Sequence, residues 1–150
     1  MTFKNNEMDR SLGFIMGMTY RKVATFFQGL LKEYGITPEQ WSVLYQIERA
    51  DGMIQKEIAE RSGKDKPTTT RILDHLEEKG LISKQIGHND RRSFVVYITD
   101  KGKSLIEETI PIEQQATIEI KRCVSDEEYE VLMALLLRIN NHMSKLTDRE

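Results

Sequence analysis

Apolar residues recur at intervals of three and four over long stretches of this chain, which is the period of an amphipathic helix. One long helix is predicted from about Asp9 to Tyr34. Its apolar positions are Leu12, Ile15, Met16, Val23, Phe26, Phe27, Leu30, Leu31 and Tyr34. A second helix is predicted to begin at Thr37-Pro38-Glu39-Gln40, where threonine is the N-cap, proline takes the first helical position and glutamine completes a capping box. Its predicted buried face is Trp41, Leu44, Tyr45 and Ile47.

Two shorter helices are predicted next. Asp51-Gly52 ends the second helix, and a third helix, marked by Ile54, Ile58 and Ala59, stops at Ser62-Gly63. Asp65 is the predicted N-cap of a fourth helix, with Pro67 in its first turn. The inward stripe of this helix is predicted to be Thr69, Ile72, Leu73 and Leu76. The side chains predicted to point elsewhere are Lys66, Thr68, Thr70, Arg71 and His75.

A hairpin and two further helices complete the pattern. Gly80 ends the fourth helix, and the segments from Leu81 to Ile86 and from Ser93 to Ile98 are typical of strands. A helical pattern then starts at Thr99, with Pro111 predicted to be a kink or a break. Ser125-Asp126-Glu127-Glu128 is a capping box that opens a last helix. Its apolar positions are too many to be left in water: Tyr129, Leu132, Met133, Leu135, Leu136, Ile139 and Met143. The fold class is therefore predicted to be mainly α with a small β wing.

Composition indicates an ordinary soluble intracellular protein. The chain has 150 residues, about one domain by length. It has one cysteine, Cys123, which cannot form an internal disulfide, and its three histidines do not have a zinc-site spacing. The N-terminus is polar, and no run of about 18 apolar residues occurs. We expect a cytoplasmic protein that has no cofactor, no metal and no membrane contact.

Charge is distributed unevenly along the chain. The whole protein carries 22 Lys and Arg against 24 Asp and Glu, a net charge of -2. From Gln55 to Lys103 there are eleven Lys and Arg against eight Asp and Glu, so this part carries +3 and the remainder -5. Such an asymmetry allows a basic DNA-facing surface on an otherwise acidic chain. An ordinary solvated face remains an alternative.

The fourth helix and the hairpin carry side chains suited to DNA. Hydroxyl and basic groups in the first half of the helix can meet base edges and phosphates in a major groove. The alternative is a surface helix with a threonine-rich start. The predicted hairpin tip contains Asp90-Arg91-Arg92, and guanidinium groups suit a narrow minor groove. An exposed turn with its own salt bridge is the alternative there.

Other classes of function fit less well. An enzyme is not expected, because the sequence has no Gly-rich phosphate loop, Gly-x-Ser-x-Gly or His-Glu-x-x-His motif. A winged-helix module that binds only proteins remains open, since a fold does not determine a function. The discriminating feature is the pair of arginines at the hairpin tip. A protein-binding module does not require them, and its affinity would not fall steeply with salt.

The chain resembles the MarR (multiple antibiotic resistance regulator) family over nearly its whole length. The resemblance rests on motifs that occur in the family's order and at its spacing. They are Gly35-Ile36-Thr37-Pro38-Glu39-Gln40-Trp41, Gln55-Lys56-Glu57-Ile58-Ala59, Leu73-Asp74-His75-Leu76-Glu77-Glu78-Lys79-Gly80-Leu81-Ile82, Asp90-Arg91-Arg92-Ser93 and Ile98-Thr99-Asp100-Lys101-Gly102. The resemblance implies a single MarR-type domain over residues 1–150. Its DNA-binding winged helix-turn-helix would occupy residues 37–102, and its dimerisation helices residues 8–34 and 103–146.

The resemblance also implies a partner and a set of contacts. A homodimer would bind a pseudo-palindromic double-stranded operator, usually as a repressor released by a ligand or by oxidation. Asp90 would orient Arg92 in the minor groove, and Arg91 would meet phosphate. The recognition-helix contacts carried over are Lys64, Lys66, Thr68, Thr70 and Arg71. Half-sites would lie about one helical turn, roughly 34 to 36 Å, apart.

The resemblance also implies how DNA binding is regulated. In the family this is more commonly done by a phenolic or other aromatic effector, which binds in a cleft between the dimerisation helices and the winged part. Its candidate residues are Tyr20, Phe26, Trp41, Tyr45 and His75, which are equally plausible as core. Oxidation sensing is not favoured, because family members that sense peroxides use a cysteine near the N-terminus and this chain has none there. We expect Cys123 to be buried or inert.

Overall fold

Helices make up most of the chain, and a small antiparallel sheet is formed by its middle part. The computed structural model describes residues 10–86 and 94–148. The helices are α1 (Leu12–Leu31), α2 (Pro38–Arg49), α3 (Gln55–Ser62), α4 (Lys66–Glu78), α5 (Asp100–Lys121) and α6 (Asp126–Thr147). The strands are β1 (Met53–Ile54), β2 (Ile82–Ile86) and β3 (Phe94–Ile98). The predicted fold class, mainly α with a small β wing, is confirmed.

Side-chain caps determine where the main helices begin. Thr37 and Gln40 form a reciprocal capping box at α2, with both hydrogen bonds 3.2 Å long. Asp65 accepts a 2.8 Å hydrogen bond from the Thr68 backbone N–H at the start of α4. Ser125 and Glu128 form a second capping box at α6. These three helix starts were predicted, because a cap is local in sequence.

The sheet has the strand order β1-β3-β2, and both pairings are antiparallel. Ile82 lies opposite Ile98 and Ile86 opposite Phe94, so β2 and β3 pair along their whole length. Met53 lies opposite Val96. Strand β1 was not predicted, because two residues are too few to show an alternating pattern.

One hydrophobic core lies in the first of two compact units, residues 1–113. Its members come from α1 to α5 and from all three strands: Leu31, Ile36, Trp41, Val43, Leu44, Ile47, Met53, Ile58, Ile72, Leu73, Leu76, Leu81, Ile82, Val96, Ile98 and Ile106. The predicted inward stripe of α4 is confirmed, since Thr69 is fully buried beside Ile72, Leu73 and Leu76. The second unit, residues 114–150, contains α6, of which no residue is buried.

The structure corrects the end of the first predicted helix and excludes one alternative in each of two other predictions. The first helix ends at Leu31, and a 3-10 turn over Lys32–Tyr34 leads to Gly35 in the left-handed conformation, with φ of 64°. Of the kink or break predicted at Pro111, the break is excluded, because α5 continues through Pro111 to Lys121. Of the two alternatives for Cys123, buried or inert, the first is excluded, because Cys123 is exposed. Its thiol donates to the Ile120 carbonyl oxygen at 3.4 Å.

No helix within residues 10–86 and 94–148 is long and apolar enough to span a membrane.

The backbone that follows α4 lies very close to the backbone at the start of α5. The Thr99 backbone N–H donates to the Leu81 carbonyl oxygen at 3.1 Å, and the Thr99 hydroxyl donates to the Gly80 carbonyl oxygen at 2.7 Å. Gly102, in the first turn of α5, is buried against the same segment. A β-carbon at Gly102 would lie 2.3 Å from the Leu81 carbonyl oxygen and 2.7 Å from Ile98 Cγ1. Only glycine fits there without a shift of the backbone.

The Gly102→Ala variant should therefore be less stable, although alanine is the better helix former. We expect its free energy of unfolding, measured with urea, to fall by about 2 to 3 kcal/mol. The matched control is Gly29→Ala in α1, where a β-carbon would have no neighbour within 4 Å. This control should be neutral or more stable by roughly 0.5–1 kcal/mol. Similar responses of the two variants would contradict the close approach.

Candidate nucleic-acid interface

Helix α4 is held by its buried stripe, and its opposite side is exposed. Lys66, Thr70 and Arg71 are exposed, and Thr68 is half-buried. The fully buried Thr69 donates its hydroxyl to the Asp65 carbonyl oxygen at 2.8 Å, so it needs no partner outside the helix. The first two turns of α4 thus present short polar and basic groups on a side determined by the core.

The turn before α4 adds basic groups to the same region. Gly63 ends α3 in the left-handed conformation, and the Lys64 backbone N–H donates to the Ala59 carbonyl oxygen at 3.0 Å. A depression of about 530 Å³ lies next to this turn, between α3, the start of α4 and the first residue of β3. Lys56, Lys64 and Lys66 line it together with Phe94. Glu60 is the acidic residue among the lining residues, so three lysines and one glutamate surround this opening beside the sheet.

Thr70 has a defined hydrogen-bonding role. Its hydroxyl donates to the Lys66 carbonyl oxygen at 3.0 Å and accepts from Gln55 Nε2 at 2.5 Å. Because a hydroxyl has a single proton, the oxygen can only accept from a further partner. Gln55 lies on α3, fifteen residues away. Gln55 was not predicted as a site residue, although it opens the motif Gln55-Lys56-Glu57-Ile58-Ala59 on which the resemblance partly rests.

The Arg71 side chain can bind another anion, although it already forms an ion pair. Its guanidinium Nη2 lies 3.9 Å from a carboxylate oxygen of Glu39, and the Arg71 side chain is 59% exposed. A long ion pair in that environment is screened by water and contributes little to stability. Arg71 can therefore turn to another anion at low cost.

Lys84 on β2 ties the sheet to the second half of α4. Its ammonium group contacts the carboxylate of Asp74 and lies 4.0 Å from that of Glu77. The Lys84 backbone N–H also donates to Glu77 Oε2 at 3.2 Å. The Lys84 side chain is only 17% exposed. The pairing offsets the acidic charge of α4 and fixes the direction in which β2 leaves the helix, and Lys84 too was missed as a candidate.

Three predicted contact residues, Asp90, Arg91 and Arg92, lie outside the described residues. The pair of strands that would carry them, β2 and β3, is present.

A cleft of about 680 Å³ lies between α1, the start of α2 and α4. Its walls include Tyr20, Arg21, Ala24 and Thr25 from α1, Glu39 and Gln40 from α2, and Arg71, Ile72 and His75 from α4. Two predicted ligand residues, Tyr20 and His75, thus face one space. The recognition-helix candidate Arg71 lines the same space.

The other three predicted ligand residues lie elsewhere. Trp41 is a core residue, stacked on Tyr45 at 5.2 Å between ring centroids and edge-on to Phe27 at 5.4 Å. Its indole N–H donates to the Thr109 hydroxyl on α5 at 2.7 Å. Phe26 on α1 is 43% exposed. None of these three side chains lines the cleft.

The cleft is polar and mixed in charge. Partial burial and, secondly, the nearby Glu39 carboxylate raise the pKa of Tyr20 above its ordinary value, so the phenol stays protonated and able to donate. Arg21, Arg71 and His75 are the basic groups in the walls, against one carboxylate from Glu39. The space therefore suits a small molecule with an anionic or acceptor group. Among the described residues no group of three His, Cys, Asp or Glu side chains could hold a metal ion.

Comparison with known proteins agrees with this geometry. The MarR family model matches residues 36–94. The structure is similar to that of the transcriptional repressor CouR bound to a 23-mer DNA duplex, at 26% identity, covering 93% of this chain and 99% of that chain with a TM-score of 0.81. It is similar to the transcriptional regulator SlyA at 27% identity, covering 87% and 92% of the two chains with a TM-score of 0.79. A MarR protein from Peptoclostridium difficile matches at 24% identity over 97% and 94% of the chains, with a TM-score of 0.85. The resemblance predicted from the sequence is confirmed.

Acid should weaken the cap of α4. The hydrogen bonds from the Thr68 backbone and hydroxyl lower the pKa of Asp65 below its ordinary value. A carboxylate with a lowered folded pKa stabilises the fold above its unfolded pKa of about 3.9, and this contribution is lost as the pH falls through the folded pKa. Asp65→Asn keeps a capping acceptor but does not titrate.

We expect the stability difference between wild type and Asp65→Asn to be constant from about pH 7 to 5 and to change in favour of the variant below about pH 4. Urea unfolding at each pH measures it. A difference that stays constant down to about pH 2 would contradict the role of Asp65.

Proposed function

We propose that this chain, which has the fold and the motifs of the MarR regulators, is a sequence-specific DNA-binding transcription regulator. It binds a pseudo-palindromic operator as a homodimer, with α4 in the major groove and the β2–β3 wing in the minor groove. It acts as a repressor that a small aromatic or other ligand releases. The observation that carries the proposal is the exposed first half of α4, held by a buried stripe on its other side.

The chemistry of that surface favours DNA. Lys64, Lys66 and Arg71 supply positive charge for phosphates, and the hydroxyl of Thr68 supplies a donor or acceptor. Thr70, acting only as an acceptor, would select a base that offers an amino group in the major groove, adenine or cytosine. Gln55 would hold this hydroxyl in place. CouR, similar over nearly its whole length, is itself bound to a DNA duplex.

The homodimer is supported by apolar side chains left in water. On α6 the exposed large hydrophobic residues include Val131, Leu132, Leu135, Leu137 and Leu146, each more than two-fifths exposed. On α1, Leu12, Phe14, Ile15 and Met16 are similarly exposed. Single chains do not leave so many apolar groups in water without a partner. A second copy that covers both ends would remove them from solvent.

The effector proposal rests on where the cleft lies. Arg71 and His75 of α4 form one wall, and the α1 residues around Tyr20 form another. A ligand there would contact the recognition helix and a predicted dimerisation helix at the same time. It could thereby shift α4 away from the groove spacing that the operator requires.

Selection from a pool of random duplexes, followed by sequencing and a salt titration, tests the DNA proposal directly. We expect an enriched inverted repeat and an affinity that falls steeply with salt. The absence of enrichment at low salt would overturn the proposal in favour of a protein-binding winged helix.

Single substitutions should distinguish residues that contact phosphates from residues on which operator binding specifically depends. Lys66→Ala should weaken binding to operator and unrelated duplexes by similar factors, and should reduce the salt slope by about one. Arg92→Ala should weaken operator binding strongly. The charge-matched control is Lys32→Ala, after α1 and outside the predicted DNA-binding part. If Lys66→Ala and Arg92→Ala bind operator like the parent, the contact assignment is wrong.

Filling the cleft should uncouple the effector from DNA. We expect 4-hydroxybenzoate, as a phenolic probe, to release the operator complex of the wild type. Ala24→Phe places an aromatic ring in the cleft and should bind operator without responding to the probe. Ala24→Ser, which leaves the space open, is the control. Equal release from both variants would place the effector elsewhere.

A further inference from the structure

A second cavity, of about 410 Å³, lies where the end of α1, the end of α4 and the first turns of α5 meet. Its walls include Tyr34, Lys79, Leu81, Lys101, Ser104 and Leu105. It shares no lining residue with the cleft described above. Its volume lies within the range of small-molecule sites, which begins at about 300 Å³.

Two ammonium groups face this cavity without a carboxylate partner. Lys79 Nζ donates to the Gly35 carbonyl oxygen at 2.6 Å and to Gln40 Oε1 at 2.8 Å. Lys101 Nζ donates to the Lys79 carbonyl oxygen at 2.8 Å. All three acceptors are neutral. Within residues 10–86 and 94–148, neither lysine forms an ion pair within 4.0 Å.

Both lysines keep donors to spare. An ammonium group has three protons, so Lys79 has one left and Lys101 has two. These protons belong to side chains that are already held in place by backbone or amide oxygens. A new acceptor would therefore gain charge-assisted hydrogen bonds without the full loss of lysine side-chain entropy.

Leu81, Leu105 and the ring of Tyr34 form an apolar part of the cavity wall. Leu81 is only 3% exposed, and Leu105 and Tyr34 are half-buried. Glu108 is the acidic residue in the walls, which leaves them with a net charge of +1 from two lysines and one glutamate. The walls thus offer net positive charge to an anionic group and apolar side chains to a hydrocarbon or aromatic body.

We propose that this cavity is a second ligand site, which binds a small organic monoanion, a carboxylate with an apolar body. The carboxylate accepts from Lys79 and Lys101, and the body packs on Leu81, Leu105 and the ring of Tyr34. The site does not depend on DNA binding.

The site is connected to the cleft by one side chain. Gln40 Oε1 accepts from Lys79 and also from the Thr37 backbone N–H, which caps α2. Gln40 and Thr37 both line the cleft. A carboxylate that accepts the remaining proton of Lys79 would therefore join a chain of hydrogen bonds that runs through Gln40 to the cap of α2.

The test uses 4-fluorobenzoate as the probe and 4-fluorobenzamide as its uncharged analogue, in the Ala24→Phe background where the cleft is filled. Binding is followed from the backbone amide shifts of Gly35, Ser104 and Leu105. Ser104 is an exposed wall residue on α5, so it can be changed without entering the core. Ser104→Glu places a carboxylate beside the lysines, and Ser104→Gln is the neutral control of equal size.

We expect saturable shifts with the benzoate and none with the benzamide. Ser104→Glu should weaken benzoate binding by about tenfold or more, while Ser104→Gln should remain within about threefold of the parent. Equal binding by the two Ser104 variants, binding of the benzamide at similar concentrations, or no shift at the three amides would each overturn the proposal. None of these results depends on an operator, so the proposed regulator function is tested separately.

Discussion

Burial of one side of α4 is the constraint on which the rest of the structure depends. Ile72, Leu73 and Leu76 are 1% exposed or less, and the buried Thr69, one turn before them, donates its hydroxyl hydrogen bond within the helix. Rotating α4 about its axis would expose this stripe, at a cost of roughly 1.5–3 kcal/mol for each large apolar side chain. The helix therefore has one orientation, and the opposite side, with its lysines and threonines, is presented to solvent as a consequence.

Polar contacts and one close backbone contact then fix both ends of α4 relative to α3, β2 and α5. Gln55 holds Thr70 near the start of the helix, and Lys84 joins its acidic second half to β2. Just after the C-terminal end of α4, the backbone of Leu81 lies very close to Gly102. This close contact fixes the position of the first turn of α5 relative to α4. Helix α4, strand β2 and the start of α5 are thus held as one arrangement rather than as separate pieces.

Helix α4 borders both cavities and also carries the surface proposed to bind DNA. The cleft meets it through Arg71 and His75, and the second cavity meets its end at Lys79. Both cavities involve Gln40, as a wall of one and as the hydrogen-bond acceptor of Lys79 beside the other. Small molecules in either place would contact the same helix, which is the one that enters the major groove in the proposed complex.

The sequence by itself determined the local features. Caps at Thr37, Asp65 and Ser125, the stripe of α4 and its outward polar residues follow from contacts within one helical turn, so they were predicted. Only the tertiary structure decided which residues meet across long separations. The indole of Trp41 and the hydroxyl of Thr109 are 68 residues apart, and the partners Lys79 and Gln40 are 39 residues apart. Trp41 was for this reason predicted equally as ligand residue and as core, while Gln55 and Lys84 were not recognised. Helical periodicity tells which side of an element is apolar, but the partner that covers that side is chosen by packing of the whole core.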